Sequence, residues 1–594
     1  MHTGAVLLNL TKLPEGVGLL NWNDELPSST AGDPLGMTLR IGARLGAELL
    51  HCITSITPRA RYYSFFPWAF QRAHAHSGGT TTFGEAMDHV LINERAMTLG
   101  AVLHHEGRSC EGGALQGSNR AVQLATGQQH NSIDLAKWNH LRDRTSGFDA
   151  YKGSLINLGV FEEASTWDDE VEEAGEEQVA VLETGKLSSS GQRLADAFDR
   201  AVAKAAFLAL KPGTTEVTFD TLADFGRLAG LCELRDADAF DLVPLREMFF
   251  AADIEDRHNS HYRRRMTLML LLWAVDITHA AGHELMAASF DDLTFYRAIF
   301  SDENEPDLVV PPEPLADILE RWRIFHFHNY LTSALESLLA ATMRAILYHP
   351  AGRTISEILD AFGTAQADED LGKLLGVGLP SPFMDMTPAQ SLELLGIDRI
   401  ITISDEENGA APFEGNPFAE RILRAALIED GALAGPSGAA AASLLVYMLV
   451  LRYDRTVHES HRGWNAMKVV QPQADVSMPT VVQGLLTELG TDWWNRPNRE
   501  VMSRLLNKFV VRQHETMSYE KGYGGSPALF RIDGMKIIGT DLVRDDVKPG
   551  NARFPSAMQV LKDLRLIASD PEEGTFLTAD GRSMLESFLA SGAS

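Results

Sequence analysis

The stretch from Arg553 to Phe588 constrains the fold of this chain more than any other feature of its sequence. It begins with a helical segment that ends in closely spaced leucines. Two short apolar runs follow, Leu566–Ile567 and Phe576–Leu577, on either side of the acidic turn DPEEG. Short apolar runs that flank such a turn are typical of a β-hairpin. A capped helical pattern comes next, so the sequence predicts a helix, an antiparallel hairpin and a second helix, in that order.

The same pattern occurs a second time, between Ser154 and Phe198. There the segments SLINLGVF and LSSSGQRLADAF flank an acidic insertion that contains DDEVEEAGEEQ. Corresponding residues are Leu155 and Leu561, Leu158 and Leu564, Val160 and Leu566, Leu187 and Leu577, Gly191 and Gly581, and Phe198 and Phe588. A helix, a strand pair and a second helix form the second half of a winged helix-turn-helix unit. We therefore expect winged-helix-like modules near residues 150–200 and at the C-terminus.

Helical spacing of apolar residues dominates the rest of the chain, as in MTLMLLLWAVDITHAAGHEL and FHFHNYLTSALESLLAATMRAIL. A chain of 594 residues is also too long for one hydrophobic core. The sequence predicts a mainly α, multidomain protein with three parts. These are an N-terminal helical domain over residues 1–200 that ends in the first winged-helix-like segment, a central helical domain over 201–460, and a C-terminal winged-helix-like domain over 461–594. The last contains a further strand pair in ALFRIDGMKII.

Charge and cysteine content limit the partners and the compartment. The 52 basic and 81 acidic residues give a net charge of −29, which repels polyanions, so any nucleic acid must bind through a local basic patch. Cys52, Cys110 and Cys232 are far apart and indicate neither a disulfide framework nor a zinc knuckle, which suits a reducing cytoplasm. The first residues lack the features of a signal peptide, and the most apolar run, Met266–Val275, is half the length of a membrane span. We expect a cytoplasmic protein with no membrane contact.

Sequence motifs of catalysis do not identify an active site. The chain contains no GxxxxGK[ST] and no GxSxG. Paired histidines such as His104–His105 occur without the carboxylate or thiolate spacing of known metal sites. The loose nuclease-like match at Tyr519–Lys521 lies in a polar segment. The sequence therefore predicts no metal and no cofactor, and it leaves the catalytic residues of any enzymatic activity unidentified.

Two basic regions are candidates for binding nucleic acid. Arg263, Arg264 and Arg265 precede an apolar helix, and guanidinium groups hold phosphate in a bidentate fork. The alternative is that they pair with the nearby acids Asp253, Glu255 and Asp256.

The second region is the C-terminal module. The helix Ser556–Leu564 would be its recognition helix, and the candidate base- or phosphate-contacting residues are Lys548, Arg553, Gln559 and Lys562. From Lys536 to Arg565, six basic residues face four acidic ones, a local positive balance in an acidic chain. Winged helices also bind other proteins, and the sequence leaves DNA and protein open as the ligand of this module.

The segment TSITPRARYYSFFPWAFQRAHAH contains an apolar stripe at helical spacing: Tyr62, Phe65, Phe66, Ala69 and Phe70. Arg59 and Arg61 stand at its start, where the helix dipole disfavours cations that lack a partner. The interpretations are a core helix whose arginines bridge to acidic neighbours, or an anion clamp flanked by aromatic side chains.

Four segments together resemble a diffuse group of large bacterial proteins encoded beside ATPases, helicases or nucleases in phage-defence gene clusters. The segments are TPRARYYSFFPW, NERAMTLGAVLHHEG, SLINLGVF…LSSSGQRLADAF and RQHETMSYEKG. They lie towards both ends of the chain and leave its helical middle uncovered. The resemblance implies a setting, antiviral defence, and no reaction.

From these patterns we expect a non-enzymatic DNA-sensing or scaffolding subunit of a multi-protein antiviral defence system. Its partners would be other subunits, such as an ATPase or a nuclease, and double-stranded DNA through a local basic patch. An enzymatic alternative stays open: a metal-dependent nuclease whose ligands are scattered along the chain. A third hypothesis is a winged-helix transcriptional regulator.

Overall fold

The structure is a computed structural model. It describes residues 34–37, 42–76, 82–110, 113–127, 131–141, 146–162, 185–211, 214–235, 239–300, 307–395, 417–429, 435–457, 478–522, 528–540 and 553–592. Helices account for most of these residues, which confirms the predicted mainly helical class. In the part of the chain so described, no helix combines the length and hydrophobicity needed to cross a membrane.

The helices are α1 Ala43–Leu49, α2 Tyr62–His76, α3 Phe83–His104, α4 Ser118–Thr126, α5 Phe148–Asn157, α6 Ser189–Val202, α7 Phe219–Ala229, α8 Leu242–Phe250, α9 Ser260–Ala280, α10 Ala287–Tyr296, α11 Ala316–Leu347, α12 Ile355–Phe362, α13 Ala365–Leu375, α14 Pro388–Glu393, α15 Pro417–Arg424, α16 Pro436–Val457, α17 Met478–Leu489, α18 Asn498–Leu505, α19 Gln513–Gly522, α20 Phe554–Asp563 and α21 Ala579–Gly592. The strands are β1 Ser132–Asp134, β2 Glu216–Thr218, β3 Ala298–Ile299, β4 Asp307–Leu308, β5 Phe530–Asp533, β6 Lys536–Gly539, β7 Ile567–Asp570 and β8 Gly574–Leu577. They pair antiparallel as β1–β2, β3–β4, β5–β6 and β7–β8.

The chain forms two compact units, each assembled from separate stretches of sequence. The larger unit comprises residues 41–328, 461–472 and 550–594, and the smaller unit comprises residues 1–40, 329–460 and 473–549. The three consecutive domains expected from the sequence do not coincide with these units. The C-terminal helix–hairpin–helix belongs to the same unit as the N-terminal helices.

Helix α2 lies in the core of the larger unit. Every residue from Tyr62 to Phe70 is buried. The Phe65 and Trp68 rings pack against Phe198 of α6, with ring centroids 5.7 and 5.1 Å apart. The aromatic stripe of this segment is therefore a packing surface, because large apolar side chains gain most by burial.

Helices α3 and α7 cross at two glycines. A Cβ atom added at Gly226 would lie 2.0 Å from the carbonyl oxygen of Gly100, and one at Gly100 would lie 2.3 Å from that of Leu222. Only the absence of side chains allows the two backbones to approach so closely. The crossing lies near the C-terminal ends of both helices and so brings those ends together.

The first of the two repeated segments folds as a helix, a single bridge and a helix. Helix α5 is followed by Gly159 at a φ of +65°, and Phe161 then pairs with Leu187. Ser188 caps the N-terminus of helix α6, and its hydroxyl accepts a hydrogen bond from the main-chain N–H of Gly191. The acidic insertion falls largely outside the described residues.

The second repeated segment has the same local structure. Helix α20 is followed by Arg565 at a φ of +58°, and then by the predicted hairpin as β7 and β8. Thr578 stands before helix α21, and its hydroxyl accepts a hydrogen bond from the main-chain N–H of Gly581. The main-chain N–H of Thr578 donates to the carbonyl of Leu566 at 3.1 Å. In the first segment, the N–H of Ser188 donates in the same way to the carbonyl of Val160, which aligns with Leu566, at 3.0 Å.

The smaller unit contains a buried helix and a hairpin. In α16 the residues from Ala439 to Val450 are all buried. Asn498, at the start of α18, is also buried, and its side-chain amide donates to the Phe383 carbonyl and to the Ser391 hydroxyl, both at 2.8 Å. The strand pair predicted in ALFRIDGMKII is confirmed as β5–β6.

Candidate functional site

The predicted recognition helix, α20, is a core helix of the larger unit. Phe554, Ala557, Met558, Val560 and Leu561 are buried, whereas Pro555 is exposed and Gln559 and Lys562 are half-buried along one face of the helix. A recognition helix must present a polar face to the major groove. Base reading by this helix stays a prediction; the exposed stripe available for it is narrow, because apolar residues cover the rest of the helix and pack it into the core.

The last residue of α20, Asp563, forms a fully buried ion pair. Its carboxylate accepts hydrogen bonds from the Arg59 guanidinium at 2.9 Å and from the main-chain N–H of Ala60 at 3.0 Å. Both side chains of the pair have no solvent exposure. Asp563 thus connects the C-terminal segment to Arg59, the first arginine of the arginine–aromatic stretch.

Arg61 has a comparable partner. Its Nε lies 3.2 Å from a carboxylate oxygen of Asp241, and its Nη1 donates to the Gly230 carbonyl at 2.6 Å. Ser64 also donates to Asp241, at 2.7 Å. Of the two interpretations of the arginine–aromatic stretch, the structure supports the core helix with arginines bridged to acids.

The three consecutive arginines at the start of α9 make intramolecular contacts. Arg264 is fully buried and donates to the carbonyls of Met248 and Phe249 at 2.7 and 2.8 Å, which satisfies the C-terminal end of α8. Arg265 donates to the Ala251 carbonyl at 3.0 Å, and Arg263 pairs with Glu48 at 3.3 Å. Arg264 is therefore unavailable to phosphate.

Arg553 also faces the interior of the larger unit. Its Nη1 lies 3.4 Å from the carbonyl oxygen of Leu50 and 3.2 Å from that of Ile53, while Arg264 lies 3.4 Å from the His51 carbonyl. Burial lowers the pKa of both arginines. The structure thus brings Arg264 and Arg553 together around the turn at residues 50–53.

The other three predicted nucleic-acid-binding residues, Gln559, Lys562 and Lys548, have different surroundings. Gln559 donates to Asp563 at 2.8 Å, and Lys562 is half-buried at the same edge of α20. Lys548 lies outside the described residues. The seven predicted nucleic-acid-binding residues therefore do not form one exposed basic patch among the residues that the structure describes.

A different cluster, which the sequence did not predict, lies where α3 and α7 end. The ligand atoms of His105, Cys110 and Cys232 all lie within 4.8 Å of one another. His105 directly follows α3, and Cys232 lies in a 3₁₀ turn, Leu231–Arg235, that directly follows α7. The glycine crossing of the two helices explains how residues so distant in sequence meet.

The cluster has close internal contacts and one acidic neighbour. His105 Nε2 and Cys232 Sγ are 3.0 Å apart, and Cys232 Sγ is 3.4 Å from a carboxylate oxygen of Glu233. The hydrogen bond with the Cys232 side chain lowers the pKa of Cys110 to about 6, with smaller contributions from the charges of Arg59 and His105. The same hydrogen bond raises the pKa of Cys232. The lowered pKa favours the thiolate of Cys110, the form that binds metals and attacks electrophiles.

The sequence contains few signs of this cluster. The adjacent histidines and the scattered cysteines were visible, but their spacing matches no metal motif. The missing signal was the Gly100–Gly226 crossing, which depends on the tertiary packing of two helices. No protein-family model, curated protein or solved structure matches the chain.

Proposed function

We propose that the protein is a non-enzymatic scaffolding subunit of a multi-protein bacterial antiviral defence system, acting through protein–protein contacts. The antiviral setting is supported by the resemblance of segments towards both ends of the chain to proteins encoded in phage-defence clusters. The observation that supports protein contact over DNA sensing is the burial of most of α20, which leaves Lys562, itself half-buried, as the one basic side chain between Phe554 and Asp563.

The surface of the larger unit is consistent with this role. Several large apolar side chains are about half exposed or more: Phe240, Val243, Met286, Leu308 and Val310. Aromatic and aliphatic side chains of this kind supply the buried centre of protein interfaces. Phe240 and Val243 lie three residues apart at the start of α8, and we expect them to contribute to a partner contact.

The C-terminal hairpin also favours a protein ligand. We interpret α20, β7–β8 and α21 as a winged-helix-like module. The tip of its hairpin carries exposed Asp570, Glu572 and Glu573. A wing with this charge repels phosphate, in a chain whose net charge is already −29. The tip is better suited to a basic protein surface.

Co-purification with the products of neighbouring genes tests the proposal. We expect the full chain to form a stable complex with at least one of them on size-exclusion chromatography, and phage plating to rise when the gene is deleted. The double variant Phe240→Asp, Val243→Asp should weaken that complex. The variant Glu586→Ala, at an exposed position of α21, serves as the control. A chain that stays alone with every neighbouring gene product would contradict the scaffolding role.

Fluorescence anisotropy with labelled duplex and single-stranded DNA separates the alternatives. On the scaffold proposal, binding at low salt is weak and does not change in Lys562→Ala. Tight, salt-sensitive binding that is lost in Lys562→Ala and Lys548→Ala would restore DNA sensing. Sequence-specific binding by a dimer would favour the transcriptional regulator. DNA cleavage in the presence of magnesium would favour the nuclease.

A further inference from the structure

We propose that His105, Cys110 and Cys232 bind one zinc ion, with the carboxylate of Glu233 as the fourth ligand. Two thiolates, one imidazole and one carboxylate are all established ligand types for zinc, and four ligands complete its preferred tetrahedral shell. This site is independent of the antiviral role, since it rests on the end-to-end contact of α3 and α7. Failure of either proposal leaves the other standing.

The backbone between His105 and Cys110 folds back to bring the two residues together. Glu106 and Gly107 both have positive φ, +55° and +83°, and the N–H of Gly107 donates to the Val102 carbonyl at 2.9 Å. A non-glycine residue in the left-handed region is uncommon and marks a turn held by its surroundings. This turn allows both side chains to point to one place.

The remaining two ligands come from consecutive positions of the 3₁₀ turn after α7. A carboxylate oxygen of Glu233 lies 3.4 Å from Cys232 Sγ and 3.7 Å from His105 Nε2. In a tetrahedral zinc site, bonds of about 2.1 Å to nitrogen and oxygen and about 2.3 Å to sulfur place neighbouring ligand atoms roughly 3.4 to 3.8 Å apart. The contacts of Glu233 are already close to this spacing, whereas the 3.0 Å contact between His105 and Cys232 must open by about half an ångström.

The charge around the site fits a divalent, thiophilic ion. Metal binding would release the thiol proton of Cys232, and the two thiolates and the carboxylate would then bring three negative charges, which a zinc ion offsets in part. Arg59 acts electrostatically on both Cys110 and Cys232, and its Nη1 donates to the carbonyl of Gly113, in the loop that follows Cys110. Thiolate ligands select zinc over magnesium, so the site does not support the chemistry of a magnesium nuclease.

The ion would have a structural role. Cys110 is buried, whereas His105 is half-buried, so metal can enter from the histidine side. With Glu233 bound, the shell has no open position for water or substrate, which distinguishes a structural from a catalytic zinc site. Zinc would fasten the C-terminal ends of α3 and α7 and the loop after Cys110.

Metal analysis of the full chain tests this site. The protein is purified under reducing conditions without chelator, and its zinc content is measured by mass spectrometry. We expect one zinc per chain. Cobalt loaded in place of zinc should give the visible bands of a tetrahedral site and thiolate-to-cobalt charge transfer. Cys110→Ser, Cys232→Ser and His105→Ala should each weaken zinc affinity by at least about 100-fold, and Glu233→Gln by about 10-fold.

The chain offers two matched controls. Cys52→Ser removes the third cysteine of the same unit, and His283→Ala removes an exposed imidazole of that unit; both should retain zinc affinity within about 2-fold. Should the ligand variants fail to fold, removal of zinc from the wild type by a chelator should lower its melting temperature, and added zinc should restore it. Zinc-free, fully reduced wild-type protein that does not take up added zinc would overturn the proposal.

Discussion

The two helix–strand–helix segments of the larger unit have the same local structure and different surroundings. In both, a helix ends at a residue with positive φ, a strand pairing follows, and a hydroxyl caps the next helix. The second helices differ. In α6 Leu194, Ala195, Ala197, Phe198 and Val202 are buried, whereas α21 buries few side chains, and Phe588, the counterpart of Phe198, is half-buried.

The first helices differ in a second respect. Helix α20 ends in Asp563, which is buried and pairs with Arg59, whereas the corresponding residue of α5 is the exposed Asn157. Caps, glycines and turn residues therefore determine the local structure, whereas charges and apolar faces determine where each helix packs.

The largest difference should come from the buried ion pair. Asp563→Ala leaves the Arg59 guanidinium buried without its carboxylate, and we expect it to lower the free energy of unfolding by about 3–5 kcal/mol. Asn157→Ala, at the equivalent exposed position, should change it by less than about 0.5 kcal/mol. Chemical denaturation of the full chain, followed by circular dichroism, measures both.

A double replacement checks the cause of that loss. Arg59→Met combined with Asp563→Leu removes both charges and retains apolar volume, so it should recover a large part of the stability lost in Asp563→Ala. Equal effects of Asp563→Ala and Asn157→Ala would show that the ion pair does not distinguish the two segments.

The second prediction concerns the aligned glycines, where the two segments should behave alike. A Cβ atom at Gly581 would lie 1.9 Å from the Leu566 carbonyl oxygen, and one at Gly191 would lie 2.1 Å from that of Val160. Each Gly→Ala change forces two main-chain segments apart, and we expect each to cost about 2–3 kcal/mol of unfolding free energy.

Gly153 provides the matched control, because a Cβ atom there meets nothing within 4 Å and the residue lies inside α5. Gly153→Ala should therefore stabilise the protein, by about 0.5–1 kcal/mol. Thermal melting followed by circular dichroism ranks the three variants. If Gly191→Ala and Gly581→Ala differ widely, the surroundings and not the shared turn determine their effect.

The same distinction explains what could be predicted from the sequence. The hairpin β7–β8 and the repetition of its pattern follow from residues that are close in the chain, because caps, turns and short apolar runs act locally. The partner of Asp563 is more than 500 residues away in sequence. The carboxylate therefore gave no sign that most of α20 is buried. The lysine and the glutamine of α20 are residue types that often contact DNA, so the helix resembled a recognition helix.

The Cys/His cluster illustrates the same limit for the candidate site. The histidine and the two cysteines lie close together because α3 and α7 approach each other at Gly100 and Gly226. A single glycine inside a helical pattern has many explanations. Only their pairing in three dimensions shows that the two helix ends meet, and a single sequence does not contain that pairing.

The smallest effect should come from the residue at positive φ that ends each first helix. Gly159 adopts the left-handed region freely, whereas Arg565 adopts it at an energetic cost. Gly159→Ala should lower the free energy of unfolding by about 1 kcal/mol, because alanine is disfavoured at that φ. Arg565→Gly should raise it by roughly 0.5 kcal/mol, since relief of the backbone outweighs the greater entropy of glycine in the unfolded chain. Arg565→Ala removes the side chain but keeps the conformational cost, so it should stay near the wild-type value. Chemical denaturation compares the three variants, and an Arg565→Gly variant no more stable than Arg565→Ala would show that the second segment tolerates its non-glycine turn without strain.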